Sequence, residues 1–130
     1  MYPGVAGTFV HPSTFEFDGL IISRTAGERY WAAYSGGQEL DGDPYAAPLR
    51  APSLEGLPPA LVVLGGCDML RDEGREYAAR LRAEGVEVDD VCYPGQPHGF
   101  INLDFPAAAL AHEHIGTWLR RLFSRALGST

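Results

Sequence analysis

The sequence predicts an α/β fold in which two to three parallel strands are flanked by helices. Two observations support this prediction. A short, continuous apolar run, Leu61–Leu64, lies between Pro59 and a pair of glycines, as is typical of a strand covered on both faces. A helical segment and a second strand follow, and such a strand–helix–strand unit joins parallel strands by a right-handed crossover. A third strand would start at Tyr2, where Pro3 would end it early.

The chain divides into segments of different composition, and its 130 residues leave room for one domain. Residues 1–58 are rich in glycine, proline and tyrosine, and they are predicted to be mostly loop with one helix. That helix follows Thr25, whose spacing to Glu28 fits a capping box, and it ends at Gly36. Residues 59–130 carry the strand–helix–strand–helix pattern.

The helix between the strands is predicted to run from about Asp72 to Glu84. Its apolar stripe consists of Tyr77, Ala78 and Leu81, which recur at helical spacing. Acidic residues occupy its first turn, where the positive end of the helix dipole favours them.

The second strand is predicted over Val86–Tyr93, and its apolar alternation slips at Asp89 and Asp90. The slip indicates either a bulge or a strand that emerges into solvent. The last helix is predicted from about Phe105 to residue 127, with His112 on its apolar stripe. His112 is therefore interpreted as a core histidine.

Composition and charge exclude several classes of function. The apolar share of 45% argues against disorder, no run reaches the about 20 apolar residues of a membrane span, and no signal peptide is recognised. A formal net charge of -7 argues against a nucleic-acid partner. Cys67 and Cys92 match no metal spacing and are interpreted as free thiols in a reducing, cytoplasmic compartment, although their number alone would allow one disulfide. No cofactor or metal ion is predicted.

One polar side chain follows each predicted strand. Asp68 comes after the first strand and His98 after the second. Ligands of open α/β sheets bind beyond the carboxyl ends of the strands, and neighbouring strands are about 4.8 Å apart, so the two loops can bring these side chains into contact. An aspartate that accepts from one imidazole nitrogen leaves the other nitrogen to act as a base. Alone, Asp68 could be a turn residue and His98 a loop residue, but their arrangement favours a functional pair.

Short motifs extend this interpretation over nearly the whole chain. They are Tyr2-Pro3, RYWAAYSGG at Arg29–Gly37, DPYAAPL at Asp43–Leu49, LPPA at Leu57–Ala60, DMLRDEG at Asp68–Gly74 and HGF at His98–Phe100. In this order they resemble the C-terminal part of an α/β-hydrolase of the hormone-sensitive-lipase-like branch of esterases and lipases. The resemblance implies a partial α/β-hydrolase domain over residues 1–130. It also implies that Asp68 is the acid and His98 the base of a catalytic triad acting on a small carboxylic ester.

The departure from the family concerns the nucleophile. The family's serine lies in a Gly-x-Ser-x-Gly elbow, and its oxyanion hole uses a glycine-rich loop further upstream. Neither motif occurs in this sequence. Ser35 is the nearest approach, but alanine replaces the first glycine, and a helix precedes the serine where a strand is required. We therefore expect this chain to be inactive alone, with its nucleophile in a missing or separate segment.

The alternative interpretation is a non-catalytic hydrolase remnant that binds another molecule or self-associates. So few strands leave a hydrophobic sheet edge, which a complementary N-terminal half or an identical chain would cover. Tyr30, Trp31 and Tyr34 are interpreted as packing residues rather than as the wall of a binding site. His112 and His114 point to nearly opposite sides of a helix and cannot share a metal ion.

Overall fold

The computed structural model describes residues 3–40 and 42–128 of the chain. The chain divides into two compact units, Met1–His98 and Gly99–Thr130. The regular elements are helices α1 (Pro12–Glu16), α2 (Arg24–Ser35), α3 (Arg71–Ala83) and α4 (Pro106–Leu127), strands β1 (Ala60–Cys67) and β2 (Val88–Pro97), and short 3₁₀ helices at Pro48–Arg50 and Phe100–Asn102.

β1 and β2 form a parallel sheet, as the strand–helix–strand pattern predicts. The strands are in register from the pair Ala60 and Val88 to the pair Gly65 and Tyr93. Among the described residues the sheet has these two strands. The third strand expected at Tyr2 falls outside the described residues. The predicted α/β architecture, with parallel strands and flanking helices, is therefore confirmed.

The irregularity in the sheet lies at the end of the strands rather than at Asp89 and Asp90. These two residues pair in regular register and their side chains are exposed, so the expected bulge is wrong there and the strand emerges into solvent. The register shifts further along, before Cys67 pairs with Pro97. Pro94 and Pro97 have no N–H to donate, so β2 cannot continue a regular ladder here.

Helix α3 packs against β1 with the apolar stripe that its sequence predicts. Ala78 lies in a buried cluster with Val62 and Leu64 of the strand. One turn further on, Leu81 is buried in a second cluster, which contains Ala51, Leu54 and Val86. Burying a leucine side chain contributes roughly 1.5–3 kcal/mol to folding, so this face holds the helix on the sheet.

The described residues before residue 59 form two α-helices, whereas the sequence predicts one. α1 is the additional helix; it begins at Pro12 and buries the hydroxyl side chains of Ser13 and Thr14. Such a short helix with buried polar residues has no apolar periodicity that a sequence could reveal.

Helix α2 lies where expected, but a different residue caps it. The Ser23 hydroxyl accepts a hydrogen bond from Ala26 N at 3.1 Å, and the helix begins at Arg24. The capping box assigned to Thr25 is therefore wrong. The predicted end is confirmed, because Gly36 adopts a left-handed conformation with φ of 61°.

Helix α4 begins directly after Phe105, as predicted. Its buried residues are Ala108 and Ala111, whereas His112 is exposed, so the core-histidine interpretation is wrong. With 3.6 residues per turn, His112 lies about 70° around the helix from the centre of the buried face.

Within the described residues, no helix combines the length and apolarity needed to span a bilayer.

Candidate active site

Asp68 closes the turn that joins β1 to α3. Its side chain is only 1% exposed, and its Oδ1 accepts a hydrogen bond from Leu70 N at 2.9 Å. Its backbone oxygen accepts from Arg71 N at 3.0 Å, where α3 begins. Because the strand ends at Cys67, this turn holds the carboxylate beyond the carboxyl end of β1.

His98 follows the last residue of β2 and meets Asp68. Its Nδ1 lies 3.0 Å from Asp68 Oδ2 and 3.2 Å from Oδ1, and its side chain is 21% exposed. A carboxylate can only accept hydrogen bonds, so Nδ1 donates; when the ring is neutral, its single N–H is therefore the one on Nδ1. The lone pair then belongs to Nε2, which is the arrangement a general base requires.

Two glycines at the end of β1 let the strands approach each other beside this pair. A Cβ on Gly65 would lie 2.6 Å from the backbone oxygen of Gln96. A Cβ on Gly66 would lie 3.0 Å from the Cα of Pro94. A side chain at Gly65 would therefore force the strands apart, and one at Gly66 would crowd Pro94, so glycine at these positions favours the close approach that brings His98 up to the end of β1.

A cavity of about 490 Å³ opens beside the histidine. Its wall contains His98, Met69 and five aromatic residues: Phe9, Tyr30, Trp31, Tyr34 and Tyr45. The interpretation as packing residues is therefore wrong for the exposed Tyr30 and Tyr34, whereas the Trp31 ring also packs against Gly7. α2 buries only Gly27 and Ser35 among its residues, so its aromatic side chains form the wall of a cavity instead of a core.

Glu73 is a buried acid at this site that the sequence interpretation missed. It lines the cavity, is 2% exposed, and accepts a hydrogen bond from Val5 N at 2.7 Å through Oε1. Burial raises the pKa of its carboxyl from 4.5 to about 7, against smaller opposing effects of Val5 N–H and His11. His11 Nδ1 lies 3.9 Å from Glu73 Oε2. The helix dipole favours an acidic residue in the first turn whether it is exposed or buried, so nothing in the sequence indicates that Glu73 is buried.

Ser35 does not lie in a nucleophile elbow. It is the last residue of α2, and its hydroxyl donates to Ala32 O at 3.2 Å and accepts from Gly37 N at 3.3 Å. A nucleophile elbow joins a strand to a following helix, whereas this serine ends a helix. Ser35 therefore lacks the strand-to-helix context of a nucleophile elbow.

The cysteines and the arrangement of possible metal ligands complete the description of the site. Cys67 and Cys92 are free thiols, and each is partly exposed. In the described part of the chain, no group of three or more histidine, cysteine, aspartate or glutamate side chains is arranged to hold a metal ion.

Comparisons with known proteins place this geometry in context. A family model described as an alpha/beta hydrolase fold matches residues 1–102. Carboxylic ester hydrolase LipN of Mycobacterium tuberculosis (strain ATCC 25618 / H37Rv) is 40% identical over 87 residues, covering 66% of this chain and 23% of that protein. Carboxylesterase NlhH of the same strain is 35% identical over 116 residues, covering 85% of this chain and 36% of that protein.

Solved esterase structures show the same backbone arrangement. The esterase rPPE mutant S159A, complexed with (S)-Ac-CPA, superposes with a TM-score of 0.87 at 36% identity, over 93% of this chain and 40% of the esterase chain. One of two fungal esterases from Rhizomucor miehei gives a TM-score of 0.88 at 30% identity, over 95% and 40%. The chain thus spans between 23% and 40% of the length of these four relatives.

Proposed function

The chain belongs to the α/β-hydrolase family, in its hormone-sensitive-lipase-like branch of esterases and lipases, and we propose that it carries the acid and base of a serine-type carboxylic ester hydrolase. Asp68 is the acid and His98 the base. The proposal rests on one observation above all: the Asp68 carboxylate lies 3.0 Å from His98 Nδ1, at the carboxyl ends of two adjacent parallel strands. The cavity beside this pair supports a small ester as the substrate.

The proposed reaction uses the two nitrogens of His98 in different ways. Nδ1 donates to Asp68, and Nε2 takes the proton from a serine hydroxyl as its oxygen attacks the ester carbonyl. The imidazolium then gives this proton to the leaving alcohol, and an acyl-serine remains. Water, activated by the same nitrogen, releases the acid and regenerates the serine. Asp68 stabilises the imidazolium in both halves of the reaction.

The serine and the oxyanion hole are proposed to come from residues outside this sequence, either on the same polypeptide or on a separate one. The 130 residues contain no Gly-x-Ser-x-Gly motif. Among the described residues, β1 and β2 pair only with each other, so each strand keeps one edge that a further strand can join. A complementary hydrolase segment is the proposed partner at one of these edges, and a second copy of this chain is the competing occupant.

The cavity wall supports a neutral substrate group. Its aromatic side chains offer apolar contact, and Glu73 is the acidic side chain in this wall. Burial of that carboxyl raises its pKa, which disfavours a negative charge there. A cavity of this kind fits an uncharged acyl or alkoxy group better than an ionised one.

A chimera provides the test. The elbow-bearing part of a related esterase is joined to this chain, and hydrolysis of p-nitrophenyl butyrate is measured. We expect turnover by the chimera and none by the chain alone. Asp68→Asn is expected to lower kcat by about 10⁴-fold, and His98→Ala by about 10⁶-fold, the losses known for the acid and the base of serine-protease triads. His112→Ala is the matched control and should leave kcat unchanged, because His112 is exposed on α4.

Two results would contradict the proposal. Chimera turnover that His98→Ala leaves intact would exclude His98 as the base. Turnover by the chain alone that His98→Ala abolishes would show that a nucleophile is present within these 130 residues.

A further inference from the structure

Two hydroxyl groups on the short helix α1 are completely buried. Ser13 and Thr14 are each 0% exposed. Ser13 Oγ donates to Met69 O at 2.9 Å, and Thr14 Oγ1 donates to the same oxygen at 3.3 Å. A carbonyl oxygen has two lone pairs, so both hydroxyls together can satisfy it. Two side chains that are 55 and 56 residues away in sequence thus hold a single peptide group.

The same peptide group binds the proposed catalytic acid. Met69 C=O and Leu70 N–H belong to one planar unit in which they point in opposite directions, so they can only rotate together. Leu70 N donates to Asp68 Oδ1 at 2.9 Å. Holding Met69 O therefore fixes the direction of the N–H that holds Oδ1, and Oδ2 is directed to His98 Nδ1 at 3.0 Å.

Ser13 is itself fixed to the start of α3 by reciprocal hydrogen bonds. Its N donates to Asp72 Oδ2 at 2.9 Å, and its Oγ accepts from Asp72 N at 3.1 Å. Asp72 N belongs to the first turn of α3, where N–H groups lack partners within the helix. Leu70, the N-cap residue of this helix, makes no side-chain cap. Ser13 therefore caps α3 from another segment of the chain, in the pattern of a capping box.

Arg71 strengthens the same junction. Its guanidinium donates to Gly66 O at 3.0 Å and to Glu16 Oε2 at 3.0 Å, which joins the end of β1 to the end of α1. It also donates to Asp72 Oδ1 at 2.8 Å, and this bond lowers the pKa of the Asp72 carboxyl. Asp72 thus stays ionised and continues to accept from Ser13 N. α1 is therefore held near its first residue by Asp72 and at its last residue, Glu16, by Arg71.

We propose that Ser13 and Thr14 are positioning residues for Asp68, and that they act through the peptide group between Met69 and Leu70. The inference rests on the proposed function, because it concerns the acid of the same pair. If the hydroxyls are removed, Met69 O loses its partners in a buried place, which favours rotation of the peptide group toward another donor. Leu70 N then turns away from Asp68. A misplacement of about 1 Å at such a site can lower a catalysed rate about 100-fold.

The tautomer of His98 reports this effect directly and requires no turnover. Two-bond ¹H–¹⁵N spectra of the full 130-residue chain distinguish a proton on Nδ1 from one on Nε2. We expect the Nδ1–H form in the unmodified chain at pH 8, because the Asp68 carboxylate accepts from Nδ1. Asp68→Asn defines the spectrum without the carboxylate, and Ser13→Ala is expected to move the population toward it. In the chimera, Ser13→Ala is expected to lower kcat about 10- to 100-fold, with a smaller change in KM.

The controls separate a positioning role from a merely structural one. Ser53→Ala removes an exposed hydroxyl that bonds to Glu84, and it should leave the His98 spectrum unchanged. Thr14→Val keeps the side-chain volume and removes one donor, so it should move the population in the same direction by a smaller amount. Thr14→Val also carries the test if Ser13→Ala does not fold.

The outcomes of this experiment are distinguishable from failure of the proposed function. A folded Ser13→Ala chain with the tautomer population of the unmodified chain overturns the inference, even if its melting temperature falls. If Ser13→Ala does not fold, an unchanged population in Thr14→Val does the same. A His98 spectrum that is insensitive to Asp68→Asn contradicts the proposed acid–base pair itself.

Discussion

Replacing Glu73 with glutamine is expected to remove a pH-dependent penalty from the folded state. The carboxyl is 2% exposed, and Oε1 accepts from Val5 N at 2.7 Å. Desolvation by burial raises its pKa from 4.5 to about 7, although the Val5 N–H and His11 act in the opposite direction. Glutamine keeps the oxygen that accepts from Val5 and nearly the same volume, but it cannot ionise.

The size and sign of this penalty follow from the two pKa values. Below pH 4.5 the carboxyl is protonated in both states, and the folded state carries no penalty. As the pH rises from 4.5 to about 7, the unfolded chain releases the proton and the folded chain keeps it, so stability falls. At roughly 1.4 kcal/mol for each pH unit, the loss reaches about 3 kcal/mol. Above pH 7 the full penalty is present.

Urea unfolding at pH 5, 6, 7 and 8, followed by circular dichroism, measures this penalty. We expect the free energy of unfolding of Glu73→Gln to exceed that of the unmodified chain by an amount that grows by roughly 2–3 kcal/mol from pH 5 to pH 8. Glu113→Gln is the matched control, because Glu113 is exposed on α4, and it should give parallel curves. A constant difference between Glu73→Gln and the unmodified chain at all four pH values would refute the reasoning.

Three glycine substitutions give further tests. Gly74→Ala would place a Cβ 2.6 Å from Leu64 Cδ2, so thermal melting should show a loss of about 1–3 kcal/mol, and an unchanged melting temperature would contradict the tight packing of α3 on β1. Gly116→Ala in α4 meets only the end of a flexible arginine at 3.4 Å, so the same measurement should show a gain of about 0.5–1 kcal/mol, and a loss would contradict the helical environment. Gly65→Ala would place a Cβ 2.6 Å from a backbone oxygen of β2, so the His98 spectrum should move toward that of Asp68→Asn; an unchanged spectrum would show that the strands need not approach so closely.

The elements that could be predicted from the sequence are those with a local pattern. A strand buried on both faces gives a continuous apolar run, and a helix buried on one face gives an apolar stripe at helical spacing. The run Leu61–Leu64 and the stripe of α3 therefore identify the covered strand and the helix packed on it. α1 has neither pattern. Its position depends on the hydrogen bonds of Ser13 with Met69 and Asp72, which are distant in sequence. No local propensity encodes those bonds.

The same distinction applies to the site. Asp68 and His98 could be singled out because each lies within a few residues of the end of a recognisable strand, and parallel strands end at one edge of a sheet. The roles of Tyr30 and Trp31 could not be predicted, because an aromatic stripe has the same periodicity whether it faces a core or a cavity. The burial of Glu73 could not be predicted, because it depends on a contact with the backbone of Val5, which is 68 residues away in sequence.

The proposed acid and base, Asp68 and His98, and the groups that hold them all lie within Met1–His98, which bears on how a nucleophile would join them. The direction of the Asp68 carboxylate is fixed by the peptide group that α1 holds, and the approach of His98 is fixed by glycines in β1. None of these contacts involves a serine elbow. If Asp68 and His98 act as proposed, the pair is oriented before a nucleophile joins it, and the proposed complementing segment has to supply a strand edge, a serine and two donors. In the proposed reaction, preorganisation of this kind would place the entropic cost of orienting His98 in the folding of this chain, not in each catalytic cycle.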